Sequence, residues 1–352
     1  MGRGKPRWAR VFQAAMSMEL AVAIVVFLAS AAAVWVFGTR LAVYGDVLAT
    51  LTGLGRLFVG SILVALATSL PELSTNITAV RLDPPNPQLA LGDVLGSNML
   101  DIFIFALVAL LFGGRRFLRQ VAPQQGYLIV LAAAMTGAAV VLGALKLDIS
   151  YWRVGLSSLI LVGIYVVGMW VVYQKRPGMA EAGVDGAVGL NGPVGLGRAW
   201  VMFGGVAAGV LVAGIFLAWS TDRIADVTGV ASSTLGILAV SFVTSLPELS
   251  LAIGAARIGA TDLGVAGLFG SAVFNASILA TADPFFRQGI LVNQTEPAHI
   301  VAGGIAFGLI LAGLVLILAR NRLSVWGARL GLGLIGCTWV AGAALVVVMG
   351  GE

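Results

Sequence analysis

TSLPELS occupies residues 68–74 of this chain and recurs at residues 244–250. Each copy places a proline and a glutamate in a stretch that is otherwise apolar enough to lie in a lipid bilayer. A second echo follows each copy, GSNMLD at 96–101 and GSAVFN at 270–275. The heptapeptides lie 176 residues apart, half the length of the 352-residue chain, so the sequence is interpreted as an internal duplication.

The composition indicates a protein that crosses a membrane many times. Hydrophobic residues make up 59% of the chain, charged residues make up 11%, and the mean hydropathy is +1.00. The +5 net charge is modest and lies mostly in loops, which argues against nucleic-acid binding, and the lone Cys337 excludes a disulfide framework. Ten apolar stretches are long enough to span a bilayer, at approximately 17–37, 55–80, 89–112, 126–144, 152–174, 199–219, 231–257, 262–281, 298–319 and 328–349.

The duplication and the span count together predict the architecture. Each half, 1–174 and 199–352, holds five spans and one set of motifs (65–101 and 241–275), and a Gly- and Pro-rich linker at 175–198 joins the halves. Because five is odd, the second half must insert upside down, as in the inverted-topology repeats of secondary transporters. The expected fold is therefore an all-α polytopic membrane protein with ten transmembrane helices.

The distribution of basic residues predicts the orientation. Loops after the odd-numbered spans hold 12 Lys and Arg, against 9 in the opposite loops and the N-terminal tail. Positive charge favours the cytoplasmic side, so both termini are expected outside the cytoplasm. The predicted location is the cell membrane, with the lipid bilayer as the surroundings of a multi-pass chain.

The repeated heptapeptide combines an opened backbone with a buried charge. Pro71 and Pro247 each remove one helical hydrogen bond, and a freed carbonyl is tolerated in a membrane only where it lines a cavity or meets a ligand. Glu72 and Glu248 follow directly, and a charge at this depth costs about 2.5–3.5 kcal/mol, so each should face the protein interior. A kink with a neutral glutamate would explain one copy, but two symmetric copies favour a functional site.

The second echo supplies further oxygen atoms. In both halves a serine and an acid or amide lie four residues apart on one helix face, and a threonine lies one turn before the glutamate. The residues concerned are Thr68, Ser97 and Asp101 in the first half and Thr244, Ser271 and Asn275 in the second. An acid-rich set of oxygens without His or Cys suits a hard cation such as Ca²⁺ or Na⁺. Asp93, whose counterpart is Gly267, is interpreted as a helix N-cap rather than a ligand.

These motifs resemble those of a known family. TSLPELS followed by G-S-x-x-x-(D/N), twice, with five spans each, resembles the cation/calcium exchanger superfamily and within it the prokaryotic sodium/calcium exchanger branch. The resemblance implies a ten-helix antiporter with a diamond of central cation sites, and first and sixth spans that slide across a rigid core. The chain departs from the family pattern at Ala67 and Val243, where glycine is usual, and in the order of Asp101 and Asn275, which is reversed.

The resemblance also implies roles for individual residues. Glu72 and Glu248 would be the central Ca²⁺ ligands, with Asp101 and Asn275 beside them. Backbone carbonyls of Ala65 and Ser241 would face flanking Na⁺ sites. The remaining implied ligands are Thr68, Thr244, Ser69, Ser245, Ser97 and Ser271. No cofactor is expected besides the transported ions Ca²⁺ and Na⁺, and a monomer would suffice.

Na⁺/Ca²⁺ antiport is the function that the motifs favour. Exchange of Ca²⁺ or another divalent cation for H⁺ is the alternative, because closely spaced buried acids are credible proton carriers. The Gly-Asn-Ala-Thr-Glu style of motif typical of the proton/calcium branch is absent from the sequence. A passive channel is disfavoured by the closed inverted repeat, and an enzyme by the lack of a Ser/His or His/Asp pair and of a nucleotide-binding glycine loop.

Overall fold

Helices account for nearly all of the computed structural model, which describes residues 7–52, 67–175 and 195–350. The helices of the first half are α1 Arg7–Thr52, α2 Leu70–Ala79, α3 Pro87–Leu111, α4 Arg115–Gln120, α5 Gln125–Leu145 and α6 Leu156–Gln174. Those of the second half are α7 Leu196–Thr228, α8 Ser232–Leu235, α9 Ser241–Thr244, α10 Leu246–Arg257, α11 Thr261–Ala282, α12 Pro297–Ala319 and α13 Val325–Met349. The other elements are a π-helix Gly236–Val240, 3₁₀ turns Asp283–Phe285 and Leu291–Gln294, and antiparallel strands β1 Ser150–Tyr151 and β2 Val154–Gly155.

The described helices account for most of the predicted spans. Eight of them are long and apolar enough to cross a membrane, and the pair Ser232–Thr244 and Leu246–Arg257, bent by 42°, is a ninth if counted as one broken span. The predicted span 55–80 lies partly outside the described residues, as does most of the predicted linker 175–198. The chain is a multi-pass, nearly all-helical membrane protein, and the count of ten stays a prediction.

Two of the spans belong to helices much longer than the bilayer requires. The apolar stretch 17–37 is the middle of α1, and 199–219 is the first part of α7. Neither stretch is followed by a proline before its helix ends, so the helix continues into more polar sequence. α7 ends where Gly229 takes a left-handed conformation with φ of 73°, which glycine adopts without steric cost.

The helices form an inner and an outer group. The apolar spans in α3 and α11 are mostly buried, whereas less than a third of the spans in α1, α6, α7 and α13 is buried. The exposed side chains of the outer group are largely apolar, as a surface in contact with lipid requires. The buried pair α3 and α11 carries the two G-S echoes, so the fold places both of them at its centre.

Glycines on α3 allow this helix to contact the second half backbone to backbone. A Cβ atom added at Gly92 would lie 2.8 Å from the Ser233 carbonyl oxygen and 3.0 Å from Gly236 Cα. One added at Gly96 would overlap the backbone of Ile237. Only glycine fits here, because the backbone, unlike a flexible side chain, cannot move aside. The π-helix is thereby held against α3 just before the second heptapeptide.

The two longest helices pack along each other as a pair. α1 lies mainly against α7, and the pair crosses α2 and α10, the helices whose first turns contain the two prolines. Polar contacts join α7 to the inner group: Ser74 Oγ donates to the Leu211 carbonyl at 2.6 Å, and Asn86 Nδ2 donates to Asp222 Oδ1 at 2.7 Å.

Candidate cation-binding site

Both heptapeptides interrupt their helix at the serine before the proline. Ser69 (φ −92°, ψ 9°) and Ser245 (φ −81°, ψ 5°) depart from helical geometry in nearly the same way. Pro71 and Pro247 then occupy the first turn of the next helix, where the N–H that proline lacks would have no partner within that helix. The predicted break is confirmed in both copies, and it takes the form of a new helix start rather than a bend within a continuous helix.

Glu72 and Glu248 fall in the first turns of the helices that follow the breaks, α2 and α10. Their side chains are 0% and 1% exposed. The first turn of a helix carries unpaired N–H groups and a partial positive charge, which stabilise a nearby carboxylate. Each break therefore places a buried acid where the backbone itself favours negative charge.

Hydroxyl groups from the two halves meet beside these acids. Ser97 Oγ lies 3.4 Å from Thr244 Oγ1, and Ser69 Oγ lies 3.5 Å from Ser271 Oγ. Ser271 Oγ also donates to Glu248 Oε1 at 3.3 Å. Each heptapeptide thus contacts the echo of the opposite half, so neither half forms the site alone.

The acids of the site lie close enough to repel one another. Glu72 interacts electrostatically with Glu248, Asp93 and Asp101, and Asp101 also interacts with Glu248. Within residues 7–52, 67–175 and 195–350, the salt bridges all involve Arg223, which is half exposed and bonds to Glu19 and Asp226. No described basic side chain is therefore paired with the buried acids.

Several oxygens of the site have no hydrogen-bond partner among the described residues. A buried, unpartnered carboxylate is strongly unfavourable, which makes these atoms a natural place for a positive ion. In the same part of the chain, no three His, Cys, Asp or Glu side chains converge tightly enough to hold a metal by themselves. A bound cation would therefore need hydroxyl, amide or carbonyl oxygens as well. The unpartnered atoms are both carboxylate oxygens of Glu72 and of Asp101, Glu248 Oε2, Ser245 Oγ and the side-chain amide of Asn275.

Asp93 is a further buried carboxylate beside the site, and the prediction that it is a helix N-cap was wrong. α3 begins at Pro87 and its N-cap is Asn86, whose side chain accepts a hydrogen bond from the backbone N–H of Leu89 at 3.0 Å. Asp93 therefore lies well inside the helix, with 0% exposure. The Asn-Pro pair is the stronger helix-start signal, and reading it first would have excluded Asp93 as the cap.

The carboxylate of Asp93 joins the two halves. Its Oδ1 accepts the Thr244 hydroxyl at 3.0 Å, and its Oδ2 accepts Asn76 Nδ2 at 2.7 Å. Asn76 Nδ2 also donates to the carbonyl oxygen of Glu72 at 2.9 Å. The Thr244 hydroxyl donates toward Asp93 and, at 3.3 Å, toward the Ser241 carbonyl, so its oxygen can act only as an acceptor toward Ser97 or a cation.

The remaining predicted residues are placed less uniformly. Thr68 is buried and interacts with Glu248, and Asn275 is buried on α11 without a hydrogen bond to the other site residues. The Ser241 carbonyl accepts the Ser245 N–H at 3.0 Å and the Thr244 hydroxyl at 3.3 Å, so an ion would have to share it. Ala65 lies outside the described residues.

Two glycines that the sequence interpretation did not single out lie where the long helices cross the motifs. A Cβ added at Gly38 of α1 would overlap the ring of Pro247, and one at Gly214 of α7 would lie 3.2 Å from the Pro71 carbonyl oxygen and 2.7 Å from Ser74 Cβ. The two glycines are 176 residues apart, the same offset as the heptapeptides. That shared offset is the signal that could have found them.

Comparison with known proteins identifies the family of this site. The family model described as "Sodium/calcium exchanger protein" matches residues 22–174 and 198–348, most of the chain. The fold and the motifs are thus those of a membrane exchanger. The chain belongs to the sodium/calcium exchanger family, in the prokaryotic branch of the cation/calcium exchanger superfamily, which confirms the resemblance seen in the sequence.

Individual relatives are distant in sequence and similar in fold. The chain is 26% identical over 245 residues to the inner membrane protein YrbG of Escherichia coli (strain K12), covering 68% of this chain and 72% of that protein. Its fold is similar to that of the H⁺/Ca²⁺ exchanger CAX, with a TM-score of 0.68, 14% identity, and coverage of 98% and 93% of the two chains. A structure of the sodium-calcium exchanger NCX_Mj gives a TM-score of 0.59, 18% identity, and coverage of 92% and 99%.

Proposed function

We propose that this protein is a secondary-active antiporter that exchanges Na⁺ for Ca²⁺ through the site between the two heptapeptides. The observation that carries the proposal is the cluster of buried carboxylates without a basic partner, lined by hydroxyls from both halves. Carboxylate and hydroxyl oxygens are hard ligands that suit both Ca²⁺ and Na⁺. Ions that use overlapping carboxylates compete, and this competition couples their opposite movements.

The arrangement of the halves supports an alternating-access mechanism. The nearly equal backbone geometry of the two breaks supports two inverted repeats, 1–174 and 199–352, joined by the linker 175–198, with five spans each and ten in all. α1 and α7 pack mainly on each other and cross the prolines at glycines, so they are the elements that we propose to slide. The proposed order is ion binding at the centre, sliding of this pair, and release on the other side.

Exchange of Ca²⁺, or of another divalent cation, for H⁺ is the second candidate. The specific observation in its favour is the group of neighbouring buried acids, which a proton could neutralise as a cation does. Against it, both heptapeptides are of the type that resembles the sodium branch. Na⁺ coupling is therefore the stronger proposal.

The surroundings of the site complete the proposal. We place the protein in the cell membrane with both termini outside the cytoplasm, following the loop-charge count. The partners proposed are Ca²⁺, Na⁺ and the lipid bilayer, with no nucleic acid and no cofactor. A monomer is sufficient, because the site forms between two halves of one chain.

Radioactive Ca²⁺ uptake into proteoliposomes that contain the purified full-length chain tests the coupling. One set of vesicles carries an outward Na⁺ gradient and the other an outward proton gradient, with the membrane potential clamped in both. Uptake that requires the Na⁺ gradient and persists with a proton ionophore supports the proposal. Uptake that follows only the proton gradient overturns Na⁺ coupling and selects the second candidate.

Substitution of the central acids tests the site in the same assay. Glu72→Gln or Glu248→Gln keeps the side-chain shape and removes the charge, and we expect either to lower uptake by at least roughly 100-fold, about 2.7 kcal/mol. Glu19→Gln is the matched control, because Glu19 is half exposed and forms only a long contact of 3.9 Å with Arg223. Wild-type uptake by either central variant would show that the site is misassigned.

A further inference from the structure

A basic pocket lies at one end of the inner helices, separate from the ion site. It has a volume of about 440 Å³ and forms where α3 ends, α4 crosses, and α13 begins. Its lining residues are Gly113, Arg115, Arg116, Arg119, Gln120 and Val325. Three arginines in one concave site provide a strong positive charge with planar, forked donors, the arrangement that suits a phosphate group.

The arginines of this pocket are not neutralised within the described part of the chain. The salt bridges there involve only Arg223, and the buried Nε of Arg115 has no hydrogen-bond partner. The side-chain stem of Arg329 packs next to these residues, since a Cβ added at Gly114 would lie 3.5 Å from its Cγ. The uncompensated positive charge of this pocket favours the binding of an anion.

Exposed apolar side chains adjoin the pocket residues in the sequence. Leu111, the last residue of α3, is 66% exposed, and Trp326, in the first turn of α13, is 77% exposed. Both helices are long and apolar enough to span the membrane, so the pocket lies where two spans leave the hydrocarbon region. Tryptophan is favoured at this depth, and a ligand bound here would have acyl chains beside Leu111 and a phosphate beside the arginines.

We propose that this pocket binds the phosphate headgroup of an anionic phospholipid, with the lipid tails lying along the ends of α3 and α13. Helix α4, which contains the arginines, follows the third span on the side predicted to be cytoplasmic. Anionic lipids concentrate on that side, and basic pockets between helices bind their headgroups. This inference goes beyond the proposed exchange and holds whichever ion is coupled to Ca²⁺.

Lipid binding to the intact purified protein tests the pocket. Native mass spectrometry in detergent would follow the titration of phosphatidylglycerol and of phosphatidylcholine onto wild type and onto Arg116→Gln/Arg119→Gln. Both substituted side chains are exposed, so the fold should be retained. We expect wild type to prefer phosphatidylglycerol, and we expect the double variant to lose roughly tenfold or more in affinity for it, since each basic residue near a membrane surface adds attraction.

Lys175→Gln/Arg198→Gln is the charge-matched control, because both side chains are exposed, follow the fifth span on the same predicted side, and are remote in sequence from every residue that lines the pocket. Unchanged phosphatidylglycerol affinity in this control supports a specific site. Equal loss in both double variants would overturn the proposal in favour of a general charge effect. Complete displacement of the lipid by inorganic phosphate would also overturn it, because the pocket would then hold free phosphate rather than a lipid.

Discussion

The two heptapeptides have nearly the same backbone geometry, but they differ in the acidic residues of the helices that follow them in the chain. Ser69 and Ser245 break their helices with φ values of −92° and −81°, and both copies bury their glutamate. The next long helix after each heptapeptide is not equivalent in the two halves: α3 carries Asp93 and Asp101, whereas α11 has Gly267 and Asn275 at the matching positions. Backbone geometry is therefore symmetric between the halves, while negative charge is concentrated in the first half.

This difference separates what builds the fold from what selects the ion. The break depends on serine and proline, and both halves need it to start a helix at the site. Cation affinity, by contrast, depends on the total negative charge of the ligands, so one half can supply more of that charge than the other. We therefore expect that a ligand acid can be moved to the symmetric position of the other half. A carboxylate that orients another ligand, by contrast, should not tolerate replacement by a side chain that lacks an acceptor.

Exchanging the acid and the amide between the halves is the strongest test. Asp101→Asn removes one of the buried carboxylates that no described basic side chain pairs with, and we expect Ca²⁺ uptake to fall by roughly 100-fold, because affinity depends on ligand charge. Asp101→Asn/Asn275→Asp restores the charge at the symmetric position and should recover most of the uptake. A double variant as inactive as the single one would show that the two positions are not equivalent.

The role of Asp93 can be tested through the ligand that it orients. Asp93→Ala leaves the Thr244 hydroxyl without its 3.0 Å acceptor, so we expect the KM for Ca²⁺ to rise about tenfold, with a smaller change in maximal rate. Asp93→Asn retains an acceptor oxygen and should recover much of the affinity.

A purely structural role for Asp93 predicts a different pattern. Thr136→Val is the matched control. Thr136 lies on α5, and its hydroxyl accepts a 2.9 Å hydrogen bond from Asn98 Nδ2, which lies on α3 like Asp93, so the substitution removes a buried polar contact of α3 that does not involve Thr244. If that control raises the KM for Ca²⁺ as much as Asp93→Ala does, the effect comes from loosening α3 and not from Thr244.

Much of this site could be predicted from the sequence because its motifs occur in both halves of the chain. The matched copies of TSLPELS identify Glu72 and Glu248 without any structure, and the four-residue spacing of Ser97 and Asp101 places both on one helix face. Asp93 was misjudged because an acid near a helix start is usually a cap, and its partner Thr244 is 151 residues away in the chain. Contacts between the halves are set by how they pack together, which spacing within one motif does not encode.

Substitution of Gly38 and Gly214, the glycines at which α1 and α7 cross the proline regions, is expected to have the smallest effect. These substitutions test whether the two halves move symmetrically, rather than whether their charges are equivalent. Gly38 and Gly214 contact the proline regions of the opposite half, so a methyl group at either should hinder sliding of α1 and α7. We expect Gly214→Ala to slow Ca²⁺ uptake by about three- to fivefold while leaving the equilibrium binding of Ca²⁺ unchanged, since overpacking at a contact costs about 1 kcal/mol or more. Gly38→Ala should do the same if both helices move.

Gly204→Ala on the same helix is the control for this prediction. An added Cβ there meets no heavy atom of the described chain within 4 Å, so any general effect of alanine on α7 would appear without a crossing contact. Slow uptake in Gly214→Ala together with weakened Ca²⁺ binding would mean that the glycine shapes the site itself. Slow uptake in only one of the two crossing variants would mean that one helix carries the movement, and the symmetry of the breaks would then not extend to the transport step.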